Sequence, residues 1–497
     1  RRDGAGDQPA GRIADLRRIA GAAGSRPQQR GGRDPRPFRR PGRGRSRLRP
    51  ALHRLPEGRD GRYGERHRPD CDDRHPARHR PRRRSAGAAA RAGGPGAGAG
   101  GAGGGAARGE SEAAEDAGEA VIVEYEELPV TADKESALDA ESPVIHPELG
   151  DNLAFQKTIN TGHVEKALAE SDFVIEETFE FGRHTAVSLE TRALLADYNP
   201  GDGHLTIYTS SQVPHMIQAV FARTLGVAEH KVRIIAPDVG GSFGLKIHTY
   251  GDEVAATAAS IKLGRPVKFI ADRLESFLTD IHARENRVWG RIAVSKEGEI
   301  KSFEIDVRSA AGAYSQFPRT SVFEANQILN ITGGPYKHKN YRAKTEVVYL
   351  NKVPTSQYRA VGHPIGNSVG EALVDRAAAA CGIDPLEMRR RNIMEDDKYP
   401  CVSAAGIKMQ DMSHQRCLEA LAKQMDYNGL RREQDEYRRE GFQRGIGIAA
   451  FIKGTAPGPA GYYGTGGAPI ASQDACTVKL EPSGGVICMV GVTDQGQ

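Results

Sequence analysis

The chain has few of the residues that mark a disulfide framework, an iron–sulfur site or a membrane span. Its 497 residues include six cysteines and one tryptophan. No two cysteines form a CxxC pair, which argues against an iron–sulfur cluster bound by this chain. No apolar run reaches the roughly 20 residues that a helix needs to cross a bilayer. The scattered cysteines favour free, buried thiols and a cytoplasmic location.

Lysine, asparagine and methionine are absent from residues 1–109, where arginine is abundant. Residues 1–110 carry a net charge of about +17, so the total of +5 leaves about −12 for the remaining residues. The basic balance therefore belongs to the first segment alone. Low apolar content combined with like charge opposes folding, and we expect residues 1–110 to be disordered.

Two interpretations of residues 1–110 stay open. The segment is either a basic arm that binds nucleic acid, or a high-GC gene read in the wrong frame until a shift near residues 107–111. The second interpretation fits better, because basic arms usually mix lysine with arginine. Arg, Ala, Gly and Pro, the residues whose codons can consist of G and C alone, dominate the segment.

From residue 110 onward, hydrophobic periodicity predicts alternating helices and strands. Residues 111–124 should form a helix that runs into a strand at 120–125, and residues 147–161 a turn-rich boundary. Further helices are expected at 163–168, 213–225, 252–263, 367–381 and 385–392. Further strands are expected at 173–181, 203–210, 231–237 and 267–271, with a hairpin formed by 287–295 and 301–309. This mixture predicts an α+β, or mixed α/β, fold.

Four short motifs contain the candidate chemistry. They are TSSQVPH at 209–215, VGGSFGLK at 239–246, QYRAVGHP at 357–364 and GVTDQGQ at 491–497. The glycines of the second motif fall where a strand turns toward a helix, which lets backbone N–H groups approach an anionic or oxo-bearing ligand. Taken alone, each motif favours a structural interpretation: the glycine motif is a tight turn, Gln212 is a surface or capping amide, and Arg359 is an ion-pair partner.

In this order, the four motifs resemble the molybdopterin-binding large subunit of the xanthine dehydrogenase/aldehyde oxidase (molybdenum hydroxylase) family, close to bacterial carbon-monoxide-dehydrogenase-like large subunits. The resemblance extends from about residue 110 to the last residue. It implies a first molybdopterin-binding domain at 150–400 and the start of a second at 410–497. It also implies that residues 111–146 are the end of an α/β hammerhead domain.

The resemblance further implies roles for individual residues. Gln212 matches the glutamine that hydrogen-bonds an oxo ligand of molybdenum, and Arg359 matches an arginine that orients substrate or stabilises developing negative charge. The remaining matches line the metal pocket or hold the pterin: Gly241, Ser242, Phe243, Gly244, Asp494, Gln495, Gly496 and Gln497. No protein metal ligand is expected, because the pterin holds the molybdenum.

The same resemblance implies a molybdenum–molybdopterin cytosine dinucleotide cofactor and electron transfer to [2Fe-2S] clusters and FAD. Both carriers would lie on partner subunits, a small iron–sulfur subunit and a medium FAD subunit, in a dimer of heterotrimers. The implied reaction is hydroxylation of an aldehyde or an N-heteroaromatic carbon with water. The rival class is a nucleic-acid-binding protein that acts through residues 1–110.

Three departures from the family pattern narrow this expectation. Ile247 replaces the glutamate of purine-oxidising members, which disfavours purines as substrates. Ala360 replaces the copper-binding cysteine of carbon monoxide dehydrogenases, which disfavours carbon monoxide. The family's general-base glutamate lies downstream of the GQG loop and has no match in the chain. Glu371 and Glu481 are expected to belong to a helix and a hairpin and not to replace it. We therefore expect the chain by itself to be inactive.

Overall fold

The computed structural model describes residues 106–454 and 475–496, so the interpretations of residues 1–105 and the role of Gln497 lie outside the described residues. The chain divides into two units, 1–122 and 123–497. In the first unit, α1 (Ala106–Glu119) is the described element. The helix predicted near residue 111 is thus confirmed, although it begins earlier.

The second unit contains the remaining elements. Its helices are α2 (Val164–Ala169), α3 (Pro214–Leu225), α4 (Gly251–Leu263), α5 (Arg273–Thr279), α6 (Phe323–Ile331), α7 (His363–Cys381), α8 (Pro385–Asn392), α9 (His414–Gln424) and α10 (Tyr427–Arg439). Its strands are β1 (Leu153–Thr161), β2 (Phe173–Phe181), β3 (Ala193–Asn199), β4 (His204–Thr209), β5 (Val232–Ile235), β6 (Val267–Ile270), β7 (Asn286–Val294), β8 (Ile300–Gly312), β9 (Asn340–Tyr349), β10 (Cys401–Val402), β11 (Lys408–Met409), β12 (Cys476–Leu480) and β13 (Val486–Val490). None of the described helices is long and apolar enough to span a bilayer.

The larger sheet has the strand order β1-β9-β8-β7-β2. Its strands pair antiparallel except for β8 and β9, which run parallel. Helices α6 and α7 contribute Ile328, Val369 and Leu373 to the core on this sheet, where they meet Phe303 and Tyr341. Removing these apolar side chains from water stabilises the packing of helix on sheet.

The smaller sheet has the order β5-β4-β3-β6, with β4 and β5 parallel. Phe221 of α3 packs on this sheet against Leu205 and Ile207 of β4. The loops that leave β4 and β5 therefore emerge at the same edge, because both strands point the same way. These loops contain the first and second motifs.

Most predicted helices and strands are confirmed, and the fold is the mixed α/β class that the sequence predicts. The strand expected at 120–125 is wrong: residues 121–130 form no regular element, and Val121 and Ile122 are exposed, with no described strand paired to them. The boundary expected at 147–161 is also wrong in part. Residues 153–161 form β1, whose partner β9 is distant in the chain.

The expectation of buried thiols is wrong for three cysteines. Cys417, Cys476 and Cys488 are exposed, whereas Cys381 and Cys401 are half-buried. Cys476 and Cys488 lie on the β12–β13 hairpin, where every residue of both strands is exposed in the described part of the chain. Their Sγ atoms are 3.0 Å apart.

Candidate functional site

The glycine loop at 239–244 connects β5 to a short 3₁₀ turn that precedes α4. Gly241 and Gly244 have φ angles of +91° and +99°, which residues with a Cβ rarely adopt. A Cβ at Gly244 would lie 2.6 Å from the carbonyl oxygen of Gln357, and one at Gly240 would lie 2.4 Å from the Cβ of Glu190. Neighbouring atoms therefore lie so close to the backbone of this loop that these positions require glycine.

Gln212 reaches this loop from the segment between β4 and α3. Its Oε1 accepts a 3.0 Å hydrogen bond from the backbone N–H of Gly244, and its own N–H donates to the carbonyl of Lys246. Because Oε1 is engaged, the carboxamide presents its NH₂ group as the free end, and no described residue accepts from it. Gln212 thus holds the loop and offers two donors to a ligand.

The fourth motif meets the second. The N–H of Val239 donates to the carbonyl of Asp494 over 2.8 Å, and the hydroxyl of Ser242 donates to Oε1 of Gln495. The N–H of Gly496 donates to the carboxylate of Asp494 over 2.8 Å, which folds the motif into a tight turn.

The third motif lies against the same loop. The N–H of Arg359 donates to the carbonyl of Phe243 over 3.0 Å. The guanidinium of Arg359 is exposed and has no partner among the described residues, while Phe243 is 43% exposed. The four motifs that are scattered along the sequence therefore converge on the loop at 239–244.

Glu190 and Lys246 hold this loop in place. One carboxylate oxygen of Glu190 accepts from the N–H of Gly240 and from Nζ of Lys246, both over 2.7 Å. Burial of Lys246 lowers the pKa of its ammonium, and the hydrogen bond that the ammonium donates to Glu190 opposes that effect. Neither residue is predicted from the sequence, because nothing local marks a contact between Glu190 and a loop 50 residues away.

Two buried hydrogen-bond donors next to the glycine loop have no partner among the described residues. They are the hydroxyl of Ser188 and the Nε2 group of Gln357. Ser188 lies next to Gly241, and Gln357 lies next to Gly244. Unpaired buried polar groups are costly and rare, so their position beside the glycine turn indicates a region prepared for a polar ligand.

Apolar side chains occupy positions 247 and 360, where the resemblance led us to expect departures from the family pattern. Ile247 is buried in a cluster with Met216 and Val220. Ala360 lines a cavity of about 260 Å³ at the start of α7, together with His363, Pro364 and Phe451. Neither position offers a carboxylate or a thiolate.

The two glutamates discussed as substitutes for a base have structural positions, as expected. Glu371 is in α7, where its carboxylate lies 2.8 Å from Nη2 of Arg389 and accepts from the hydroxyl of Tyr336. Burial raises the pKa of Glu371, and Arg389 opposes the shift. Glu481 forms the β12–β13 turn with Gly484 and Gly485. Across the described residues, no three His, Cys, Asp or Glu side chains cluster as a metal site.

Family models of the molybdopterin cofactor-binding domain match residues 145–393 and 420–497. The large subunit of nicotine 6-hydroxylase from Paenarthrobacter nicotinovorans is 32% identical over 386 residues, which is 78% of this chain and 47% of that protein. The carbon monoxide dehydrogenase large chain of Hydrogenophaga pseudoflava is 30% identical, over 77% of this chain and 50% of that protein. The chain thus spans about half the length of these relatives.

The fold matches solved structures of the same kind. Quinoline 2-oxidoreductase from Pseudomonas putida 86 superposes with a TM-score of 0.71 at 30% identity, over 77% of this chain and 48% of that one. The reconstituted CO dehydrogenase of Oligotropha carboxidovorans gives a TM-score of 0.70 at 27% identity, over 78% and 50%.

Proposed function

Because the chain belongs to the molybdopterin-binding large subunits of the xanthine oxidase family, we propose that it binds a molybdenum cofactor and hydroxylates an N-heteroaromatic or aldehyde carbon. The names of the relatives support this class, since they include a nicotine hydroxylase and a quinoline oxidoreductase. The cofactor is proposed to be the cytosine dinucleotide form of molybdopterin. When bound, this cofactor would supply the oxidising metal and the oxygen that is transferred to the substrate, with water as the source of that oxygen.

The convergence of the four motifs on one glycine loop is the observation that carries the proposal. In the proposed roles, the NH₂ group of Gln212 donates to an oxo ligand of the cofactor, and the 241–244 backbone lies against the metal end. Asp494, Gln495, Gly496 and Gln497 contact the pterin. The unpartnered donors of Ser188 and Gln357 and the absence of room for a Cβ at Gly240 and Gly244 fit a group that carries many acceptor oxygens.

Arg359 is proposed to face the substrate. Its backbone N–H is held by Phe243, and its exposed side chain is not neutralised by any described carboxylate. A planar cation in that position would orient an electron-rich substituent or stabilise negative charge that develops during the reaction. Because positions 247 and 360 offer neither a carboxylate nor a thiolate, we propose an uncharged ring or an aldehyde as the substrate, in preference to purines and carbon monoxide.

The wider assembly is part of the proposal. Electrons would pass to [2Fe-2S] clusters and FAD on a small and a medium partner subunit, in a dimer of heterotrimers. The domain division at 111–146, 150–400 and 410–497 is kept as a proposal. The cytoplasmic location and the inactivity of the chain by itself stay predictions. A dye-linked oxidation assay of the 497-residue chain without partners tests the latter, and turnover there would contradict it.

The test of the proposed function is cofactor content. The chain is co-produced with an iron–sulfur subunit and a flavin subunit, and molybdenum and released cytidine monophosphate are measured against protein. We expect equimolar amounts of both in the wild type and a large loss in Gln212→Glu, which keeps the acceptor for Gly244 but removes the NH₂ donors. Gln424→Glu, on the exposed end of α9, is the matched control. Equal molybdenum in both variants, or none in the wild type, contradicts the proposal.

A further inference from the structure

The loop at 358–362 has an unusual backbone. Ala360 and Gly362 have φ angles of +70° and +72°, so two residues of a five-residue loop are left-handed. Such a loop keeps its shape only when contacts from outside compensate for the strain of the alanine. Residues distant in the chain hydrogen-bond four of its backbone groups, and two charged side chains supply three of these four contacts.

Arg284 supplies the first of these contacts from the segment before β7. Its Nη2 donates to the carbonyl oxygen of Arg359 over 2.5 Å and to that of Tyr358 over 3.2 Å. The side chain is 6% exposed. Its guanidinium carbon lies 5.2 Å from the centre of the Tyr358 ring, which adds a cation–π contact.

Glu324 supplies the second from the first turn of α6. Its Oε1 accepts from the N–H of Gly362 over 3.3 Å and forms an ion pair with Nη1 of Arg284. Its Oε2 accepts from the N–H of Arg284 over 2.8 Å. Glu324 is buried, so its charge depends on Arg284 for compensation.

We propose that Arg284 and Glu324 are positioning residues that set the direction in which the Arg359 guanidinium projects into the site. Apart from the Tyr358 ring, the pair contacts the backbone of the loop, and it leaves the Arg359 side chain free. The fourth contact, from the N–H of Arg359 to the carbonyl of Phe243, fixes the same residue against the glycine loop. Arg284, Glu324 and Phe243 thus hold the backbone on both sides of Arg359, and its side chain is the part left to meet a ligand.

This inference rests on the proposed function for the role of Arg359, but not for the geometry of the loop. A buried ion pair is in general poor evidence for stability, because desolvation cancels much of the attraction. What distinguishes this pair is that it also hydrogen-bonds three backbone groups of the left-handed loop. The buried cluster of Glu304 with Arg291 and Arg342 has no such contact: it joins β7, β8 and β9 across the sheet.

Amide hydrogen exchange of the full 497-residue chain tests the loop geometry without cofactor. In Glu324→Gln, one carboxylate oxygen becomes an NH₂ group that faces a donor. We therefore expect exchange in peptides covering 357–363 to be roughly ten-fold to a hundred-fold faster, as for loss of a buried hydrogen bond to a charged group. Peptides covering β8 should be unchanged. Glu304→Gln, a buried carboxylate of the sheet, is the matched control and should leave 357–363 protected.

The functional half uses the chain assembled with its iron–sulfur and flavin partners. Arg284→Lys keeps the charge but cannot span Glu324 and two carbonyls, so the affinity for quinoline should fall about ten-fold or more with molybdenum content retained. Equal exchange in the loop and β8, or faster loop exchange without a change in quinoline affinity, overturns the positioning role. If the assembled wild type holds no molybdenum while the selective exchange persists, the proposed function fails and the loop geometry stands.

Discussion

The backbone N–H of Val239 lies 2.8 Å from the carbonyl oxygen of Asp494 and donates a hydrogen bond to it. This bond joins the glycine loop of the smaller sheet to the segment that follows the β12–β13 hairpin. Ser242 and Gln495 reinforce it with a side-chain hydrogen bond. The two segments that are proposed to hold opposite parts of the cofactor are therefore in direct contact before any ligand is considered.

Gly244→Ala is predicted to destabilise the chain. The added Cβ meets the carbonyl oxygen of Gln357 at 2.6 Å, and the φ angle of +99° is unfavourable for alanine. We expect a loss of about 2 kcal/mol in the free energy of unfolding, measured by urea titration. Gly251→Ala is the control: nothing lies within 4 Å of its Cβ position at the start of α4. A neutral or stabilising effect is expected there, and equal losses in both variants would contradict the steric argument.

Arg359→Met is predicted to separate stability from function. The contacts of Arg359 with described residues run through its backbone, so the free energy of unfolding should change by less than about 0.5 kcal/mol. In the assembled complex, the affinity for quinoline should fall roughly ten-fold to a hundred-fold, as for loss of a hydrogen bond from a charged group. Arg359→Lys should recover only part of the loss. Wild-type affinity in Arg359→Met would remove Arg359 from the proposed site.

The stability of the chain is predicted to fall as the pH drops below 6.5. Burial lowers the pKa of His248 to about 3 and that of His338 to about 4, from an ordinary value of 6.5. Below pH 6.5 the unfolded chain binds protons that the folded chain does not, so each histidine costs roughly 1.4 kcal/mol per pH unit. The stabilising contribution of each neutral, buried histidine is therefore complete above pH 6.5.

Unfolding by guanidinium chloride between pH 7.5 and 5 measures how the free energy of unfolding depends on pH. His248→Gln keeps a neutral donor near the carbonyl of Phe317, and its stability should decline less steeply with falling pH. His204→Gln, which replaces an exposed histidine, controls for the loss of one imidazole. Parallel curves for His248→Gln and the wild type would show that His248 does not titrate as its burial implies.

Treatment with a small-molecule disulfide such as oxidised glutathione is predicted to form a disulfide bond between Cys476 and Cys488. Their Sγ atoms are 3.0 Å apart and both residues are exposed. Two exchange steps would make the chain two hydrogen atoms lighter and release two small thiols. Mass spectrometry of the digested protein identifies the linkage, and Cys417→Ser should leave it intact. Persistent mixed disulfides at both positions would exclude the linkage.

The sequence predicts local elements well because their signals are local. Helix α4 ends at a left-handed glycine, Gly264, and β7 and β8 flank a short turn, so both could be located from the pattern alone. Strands β1 and β3 were missed, because β1 is defined by pairing with the distant β9 and β3 by its central place in the smaller sheet. The backbone hydrogen-bond partners in a helix lie four residues apart in the chain, whereas those of a strand lie on another strand.

The same limit applies to the site. The resemblance identifies Gln212, the glycine loop and Arg359, and the structure brings these residues together. Glu190, Arg284 and Glu324 carry no motif of their own. Their importance lies in hydrogen bonds to loops far away in the chain, which only the folded backbone reveals.

The packing of Ile247 has an evolutionary consequence. Ile247 is 5% exposed and shares its apolar cluster with Met216 and Val220 of α3. The position at which the resemblance expects the glutamate of purine-oxidising members is therefore also part of a helix interface. A carboxylate introduced there alone would be buried in apolar surroundings, and its cost depends on what Met216 and Val220 become at the same time. A change of substrate through position 247 would therefore require coordinated substitutions, and a variant library restricted to that position should yield mainly destabilised chains.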